Sequence, residues 1–134
     1  MDSGEHDLAL MLATLEPVLA AEPYVYCSVN WRWSDPQLIA ADPLATVREP
    51  EGLTLILTQQ RAVELGLEFR FPAALISLTV HSALDAVGLT AAFAEALAKV
   101  EISCNVLAGY HHDHILVPYE DRDTAMAALR RLRG

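Results

Sequence analysis

The sequence has little of what marks a small disulfide-bonded protein, because its 134 residues include only two cysteines. Cys27 and Cys104 each lie inside an apolar run, and they do not form a CxxC pair. This pattern favours buried, reduced thiols over a disulfide. The first ten residues, MDSGEHDLAL, also lack the basic segment of a secretory signal. We therefore expect a cytoplasmic protein.

Basic residues are scarce as well, since nine lysines and arginines stand against eighteen aspartates and glutamates. The formal net charge is −9. Because a field of this sign repels phosphate backbones, we expect no nucleic-acid partner. No apolar run approaches the ~20 residues that a transmembrane helix needs, so we expect no membrane partner either.

Apolar residues are abundant, at 53% of the chain, and the mean hydropathy is positive. A chain of 134 residues with this content forms one compact domain or two small modules that share a core. The same content leaves apolar surface for a partner, and we expect a homodimer.

The first half of the chain mixes helical and extended patterns. Residues 6–20 have leucines at helical spacing, and Pro17 predicts that this helix kinks or ends near Leu15 or Glu16. The alternating, β-branched and turn-forming residues that follow predict a strand at 24–31, a loop at 34–43, strands at 44–49 and 53–58, and a short helix at 59–66.

The second half has clearer periodicity. Asp121 is expected to cap a final helix, and acidic residues at the start of that helix with arginines at its end agree with the helix dipole. Before it, the pattern predicts a strand at 71–80, an amphipathic helix at 87–100, a strand at 102–109, a turn at 110–113 and a strand at 114–118.

The two halves repeat one order of elements: a helix, a strand carrying one cysteine, a turn, a second strand and a short helix. We therefore predict an α+β fold in which an antiparallel sheet is covered by helices on one face. The simplest arrangement is two ferredoxin-like halves, at residues 1–68 and 69–134. The strand that follows Pro72 is expected to close the first half and open the second.

Three segments, VREPEGLTLIL, LTVHSALDAVGLTAAFAEAL and ISCNVLAGYHHDHILVP, resemble a family of small stand-alone bacterial proteins with tandem ACT-like domains. The resemblance covers nearly the whole chain and is strongest over residues 73–129. It implies βαββαβ ferredoxin-like halves and a regulatory, non-enzymatic role in sensing amino acids or other small molecules, without a cofactor. It identifies the fold more firmly than the function. Glu101 departs from the family, which usually has glycine at this place after the helix.

The resemblance places a ligand site in the loop HSALDAVGL and on the strand that carries Asn105. The loop follows a strand and opens a helix, so its last amides should favour a carboxylate, and Gly88 lets a ligand approach the backbone. The Asn105 amide offers a donor and an acceptor to an amino acid. Alternatively, Gly88 only permits tight packing and Asn105 ties down a loop. The predicted ligand-binding residues are His81, Ser82, Val87, Gly88, Leu89 and Asn105.

The stretch YHHDH offers a second interpretation, since imidazoles and a carboxylate suit zinc. A metal-binding module would use His81, His112 and His114. The alternative is a hairpin turn in which Asp113 stabilises the turn and His114 hydrogen-bonds to a neighbouring strand. HExxH spacing is absent, so the turn is favoured.

Nucleophilic catalysis would need Cys104 or Ser82 beside a histidine. The apolar neighbours of Cys104 predict a raised thiol pKa and low reactivity. Ser82 has no orienting acid apart from Asp85, and we therefore expect no enzymatic activity. A last possibility is a purely structural, protein-binding domain, whose apolar contact surface would include Trp31 and Trp33.

Overall fold

The computed structural model describes residues 3–79 and 88–134, with side chains from residue 8 onward. Five α-helices are present in these ranges: α1 (Ser3–Ala13), α2 (Asp35–Ala41), α3 (Gln59–Glu64), α4 (Leu89–Lys99) and α5 (Arg122–Arg130). The strands there are β1 (Glu16–Leu19), β2 (Tyr24–Val29), β3 (Ala45–Glu49), β4 (Gly52–Thr58), β5 (Arg70–Thr79), β6 (Asn105–Ala108) and β7 (Asp113–Pro118). Short 3₁₀ turns at Tyr119–Asp121 and Arg131–Arg133 flank α5.

The chain forms two compact units. The central unit is Glu22–Ala73, and the terminal unit combines Met1–Ala21 with Ala74–Gly134. These units do not coincide with the consecutive halves 1–68 and 69–134, because α1 and β1 belong with the C-terminal part of the chain. β5 contributes its first residues to the central unit and its later residues to the terminal unit, as expected for the strand that follows Pro72.

The central unit has the order β2-α2-β3-β4-α3-β5, and its strands lie side by side as β3-β4-β2-β5. Strands β2 and β4 pair antiparallel from Tyr24↔Thr58 to Val29↔Leu53. Alternate residues of both strands face the helices and form an apolar core with Ala41 of α2 and Ala62 of α3. The residues between them face the other side of the sheet, called here the open face.

The terminal unit has the same strand order, β1-β5-β7-β6, but a different chain path. Its first five elements run β5-α4-β6-β7-α5, and the fourth strand is β1 from the N-terminal part of the chain. β1 pairs antiparallel with β5 from Glu16↔Thr79 to Leu19↔Ile76. Phe93 of α4 and Leu129 of α5 are fully buried in its core. The predicted α+β fold with two ferredoxin-like halves is thus confirmed.

The expectation for residues 6–20 was wrong in one respect. The helix ends at Ala13, and Glu16–Leu19 form a strand rather than a last helical turn. Pro17 fits this strand because β1 lies at the end of the strand order of its unit, where a missing N–H disturbs no interior ladder. The proline thus predicted the end of the helix to within about two residues, but the pattern did not indicate the strand that follows.

The predicted loop at 34–43 was also wrong, because Asp35–Ala41 form α2. Ser34 and Gln37 make a capping box, in which the serine oxygen accepts from the Gln37 amide and the Gln37 side chain accepts from the Ser34 amide. The missed helix also shifts the internal repeat. β2 corresponds to β5, and Cys27 lies within β2 whereas Cys104 immediately precedes β6, so the two cysteines are not in equivalent places.

Asp121 does not cap α5 as predicted, since its side chain makes no capping hydrogen bond. Its backbone has φ −97° and ψ 8°, whereas an N-cap residue is normally extended. The 3₁₀ turn that precedes α5 accounts for this geometry. From the first position of α5, the Arg122 guanidinium donates to the Tyr119 carbonyl at 2.7 Å and lies 4.1 Å from the Tyr119 ring centre.

Candidate ligand site

Gly88 immediately precedes α4 and has the left-handed φ of +97°. Glycine has no side chain with which to cap the helix, and the Gly88 carbonyl accepts the first helical hydrogen bond, from the Ala92 amide at 2.9 Å. A Cβ added at Gly88 would lie 3.1 Å from Leu8 Cδ2 of α1. The left-handed backbone angle therefore favours glycine, whereas a Cβ would need the flexible end of the Leu8 side chain to move only slightly.

The rest of the predicted loop is described only in part. Leu89 is 2% exposed and packs in the core of the terminal unit, so only its backbone can face a ligand. His81, Ser82 and Val87 lie outside the described residues. The helix that they precede is eleven residues long and carries no acidic residue in its first turn. Its N-terminal end thus presents amide dipoles without a compensating carboxylate on its own first turn.

Asn105 is the exposed first residue of β6. It lies opposite Leu116 of β7, whereas the neighbouring Ile115 and Val117 point into the core with the helices. Residues directly opposite in an antiparallel pair share a face, so the Asn105 side chain lies on the open face of the terminal unit. Gly88 and Asn105 also flank opposite ends of α4, which is about 16 Å long. One unit does not bring the two residues together.

Strand β6 ends the strand order of the terminal unit and pairs with β7 alone among the described strands. Its four residues, NVLA, carry no charge, and Val106 is 41% exposed. By contrast β3, which ends the order of the central unit, contains Arg48 and Glu49. Charges on an end strand discourage pairing with another sheet, and β6 lacks that protection.

The histidine stretch forms the turn between β6 and β7. The Gly109 amide donates to the His112 carbonyl at 2.9 Å, while Tyr110 and His111 are exposed. His114 lies on β7, and its Nδ1 is 2.8 Å from the Ser77 hydroxyl of β5. The expected bond from His114 to a neighbouring strand is therefore present, but it reaches a side chain rather than backbone.

Burial lowers the pKa of His114, and nearby His112 lowers it further, while Asp113 acts in the opposite direction. A neutral imidazole is also what a metal ligand requires. Within residues 3–79 and 88–134, however, no group of three or more His, Cys, Asp or Glu side chains is placed to hold a metal ion. The predicted set of His81, His112 and His114 includes one residue outside those ranges.

Both cysteines are free thiols. Cys27 is buried and Cys104 only half-buried, which departs from the expectation that both are buried. Burial raises the pKa of each thiol. A raised pKa keeps each sulfur protonated and therefore unreactive as a nucleophile.

The sequence did not point to the cavities of the central unit. One, of about 1000 Å³, lies over the open face of its sheet. Another, of about 370 Å³, lies between the end of α2 and the start of α3. The alternation in β2 could have indicated the first cavity, because it places the aromatic Tyr26 on the face of the strand where a polar, solvent-facing residue is expected. The helices described in the structure include none with the length and apolar character needed to cross a bilayer.

The comparisons with known proteins concern the whole chain. The ACT domain family matches residues 3–74 and again residues 70–131. A protein of unknown function from Vibrio cholerae, described as a possible transport protein, is 48% identical. The match covers 98% of this chain and 100% of that one, with a TM-score of 0.86. Among proteins with curated descriptions, none matches.

More distant structures share the fold. A protein from Agrobacterium tumefaciens is 16% identical, with 89% of both chains covered and a TM-score of 0.72. The ligand-free regulatory subunit of aspartate kinase from Thermus thermophilus is 15% identical, with 87% of this chain and 95% of that chain covered and a TM-score of 0.62. The two family matches together span nearly all of the sequence, and this chain therefore belongs to the ACT domain family.

Proposed function

We propose that this chain is a non-catalytic regulatory protein of the cytoplasm that binds an amino acid. The observation that carries the proposal is the N-terminal end of α4, where the left-handed Gly88 occupies the N-cap position and has no capping side chain of its own. Unpaired amides at such an end favour a carboxylate, and glycine lets the ligand reach them. The loop residues His81, Ser82 and Val87 would complete the site with Gly88 and the backbone of Leu89.

Membership of the ACT family supports the regulatory part of the proposal. The structures similar in fold include a regulatory subunit of aspartate kinase and an aspartokinase in complex with aspartate. An amino acid also suits the chemistry of the site. Its carboxylate would meet the amides of α4, and its ammonium group needs an acceptor, which the Asn105 side-chain oxygen can supply.

Asn105 would come from a second copy of the chain. Pairing of two β6 strands in antiparallel fashion about a twofold axis sets the first residue of one strand beside the last residue of the other. The end of β6 lies toward the sheet end from which α4 begins, since α4 and β6 run in opposite directions through the unit. This pairing brings Asn105 of one copy to the sheet end at which Gly88 of its partner lies, and the Asn105 side chain must turn from the open face at the end of the strand to reach the ligand.

The experiment is a thermal-shift panel of the twenty amino acids and zinc, each with and without EDTA. A ligand at a hundred times its Kd adds about 2.7 kcal/mol to stability, which moves the midpoint by several degrees. We expect one or two amino acids to shift the wild type, and Asn105→Ala to remove the shift. Ser103→Ala is the matched control, because Ser103 is also exposed and lies two residues away. No shift by any amino acid would refute the proposal, and a zinc-only shift would favour the histidine alternative.

The dimer can be tested separately by sedimentation equilibrium. Val106→Lys places a charge on β6 and should convert a dimer to a monomer while also removing the amino-acid shift. Val47→Lys is the matched control, because Val47 is 47% exposed on β3, the end strand of the other unit. A dimer that survives Val106→Lys would exclude β6 as the contact.

A further inference from the structure

The cavity of about 1000 Å³ lies on the open face of the central sheet, away from α2 and α3. Val25, Leu55 and Leu57 pack beneath the helices, and alternation turns Tyr26 and Ile56 to the opposite side, where both line the cavity. The volume is at the upper end of the range typical of small-molecule sites. This cavity belongs to the other unit from Gly88 and shares no residue with the site proposed above.

The floor of the cavity is apolar. Ile56, only 4% exposed, lies between Tyr26 of β2 and Ala45 of β3 in the strand register. Val47 extends this floor toward the end strand, and Phe69 lines the cavity from the segment before β5. An open face that packed against nothing would normally carry polar residues in an antiparallel sheet. Aromatic and aliphatic side chains here provide a surface for an apolar body.

A strained residue holds the Tyr26 ring in place. Phe71 has φ +56°, a left-handed angle that is an outlier for a bulky side chain. The pairing of β2 with β5 shifts register between Tyr24 and Tyr26, and such an irregularity redirects a side chain. The Phe71 ring meets the Tyr26 ring edge-on at 5.8 Å. Backbone strain of this kind concentrates at functional sites.

The charge at the cavity is negative. Glu49, Glu51 and Glu68 line it, against a single arginine, Arg70. The Thr54 hydroxyl, which also lines the cavity, donates to the Glu49 carboxylate and so fixes it beside the floor. Within the described part of the chain, none of the three glutamates takes part in an ion pair. Carboxylates beside an aromatic ring form a favourable setting for a cation.

From this geometry we propose that the cavity binds an organic cation with one amine on an aromatic or aliphatic body. The body packs on Tyr26 and Ile56, and the amine faces the Glu49 carboxylate with the Tyr26 ring nearby. The acidic rim favours a positively charged occupant. Because the Arg70 guanidinium repels a cation, we place the amine at the β3 side of the cavity, beside Glu49.

The test is calorimetric titration of the full chain with three probes of matched body: phenethylamine, 2-phenylethanol and 3-phenylpropanoate. We expect phenethylamine to bind, the alcohol to bind more weakly and the carboxylate not to bind. Glu49→Gln should weaken phenethylamine binding by about tenfold, the loss expected for one charge-assisted contact. Tyr26→Leu should weaken it as well. Glu64→Gln, an exposed substitution in α3 outside this cavity, should leave the affinity unchanged.

The proposal is overturned by equal affinity for the amine and the carboxylate, by no binding of the amine, or by an unaltered affinity in Glu49→Gln. Binding of a lysine-rich amphipathic peptide without binding of phenethylamine would likewise reject a small cation in favour of a protein segment. Circular dichroism of each variant verifies folding, and Glu68→Gln gives a second test if Glu49→Gln is unfolded. The amino-acid thermal shift should persist in Glu49→Gln, so the two sites fail or succeed independently.

Discussion

The two units share one strand order but differ in how the chain builds it. The central unit is consecutive, and its helices α2 and α3 have seven and six residues. The terminal unit takes its fourth strand from the N-terminal part of the chain and is covered by α4, of eleven residues, and α5, of nine. Its core holds fourteen buried residues against seven in the central unit, among those described. The same topology therefore predicts a more stable terminal unit, provided that β1 is in place.

The open faces differ too. In the terminal unit, the Ser77 hydroxyl and the His114 ring satisfy each other across two strands. In the central unit, Tyr26 and Ile56 line a cavity bordered by carboxylates. A polar pair that is mutually hydrogen-bonded tolerates solvent, whereas an apolar floor gains from a ligand that covers it. The contrast lies in this polar pair, because the open face of the terminal unit also carries two buried apolar residues, Leu75 and Leu116.

The largest expected effect comes from the junction between α1 and β1. Leu15 is fully buried in the terminal core, so Leu15→Ala should lower the free energy of unfolding by about 3 kcal/mol. Urea unfolding followed by circular dichroism measures this change. Leu10→Ala is the control, because Leu10 is 53% exposed and its truncation should cost less than about 0.5 kcal/mol.

Hydrogen exchange sharpens the same comparison. In Leu15→Ala, protection should fall more at the amides of β7 in the terminal unit than at those of β4 in the central unit. Equal loss in both strands would show that the N-terminal segment does not stabilise the terminal unit selectively.

The ends of α3 and α4 give a matched pair of smaller effects. Each ends in a Schellman motif, with amide-to-carbonyl bonds Leu67→Ala62 and Ile102→Leu97. The left-handed residue is Gly66 in the central unit, at φ +68°, but Glu101 in the terminal unit, at φ +60°. Glu101→Gly should therefore raise stability by about 1 kcal/mol, and Gly66→Glu should lower it by about 1 kcal/mol.

Thermal or urea unfolding of the two variants tests this pair. Gly66 has open space around its Cα hydrogens, so a side chain there meets no steric clash and the effect reports backbone angle alone. A loss of stability in Glu101→Gly would mean that the glutamate side chain contributes more than its backbone costs.

The smallest effect is a pH dependence from His114. Its pKa in the folded chain lies below the usual 6.5, because burial and His112 disfavour the charged ring. The unfolded chain thus binds the proton more readily, and the stability due to the neutral ring is present above pH 6.5 and lost as pH falls toward the folded pKa. His114→Gln should flatten this part of the stability profile, whereas His111→Gln, at an exposed position, should not. Parallel profiles for wild type and His114→Gln would contradict the assignment.

The strongest hydrophobic patterns predicted the fold well. The amphipathic pattern at 87–100 and the strands on either side of it correspond to α4, β5, β6 and β7, because each buries one regular face. Two segments were predicted wrongly, the first because its structure depends on tertiary pairing and the second because a local helix cap was overlooked. Glu16–Leu19 is a strand only because β5 pairs with it, and α2 depends on the capping box of Ser34 in a sequence rich in proline and aspartate.

The candidate site was predictable to a lesser degree. A glycine between a strand and a helix has a backbone reason to be there, and the left-handed φ of Gly88 agrees with it, while the part of Gly88 in a ligand site stays a prediction. The separation of Asn105 from Gly88 could not be predicted from the sequence, since it follows from strand register and the length of α4. The cavity over Tyr26 could not be predicted either, because it is formed by β2, β3 and β4 together with the segment before β5 and the first residue of β5.

The most direct test is an NMR titration of the isotopically labelled chain with whichever amino acid raises its melting temperature. The account predicts the largest amide shifts at Val87, Gly88 and Leu89, together with the side-chain amide of Asn105, and little change at Tyr26 or Ile56. Shifts confined to the central unit, or spread evenly without a maximum at the start of α4, would contradict it.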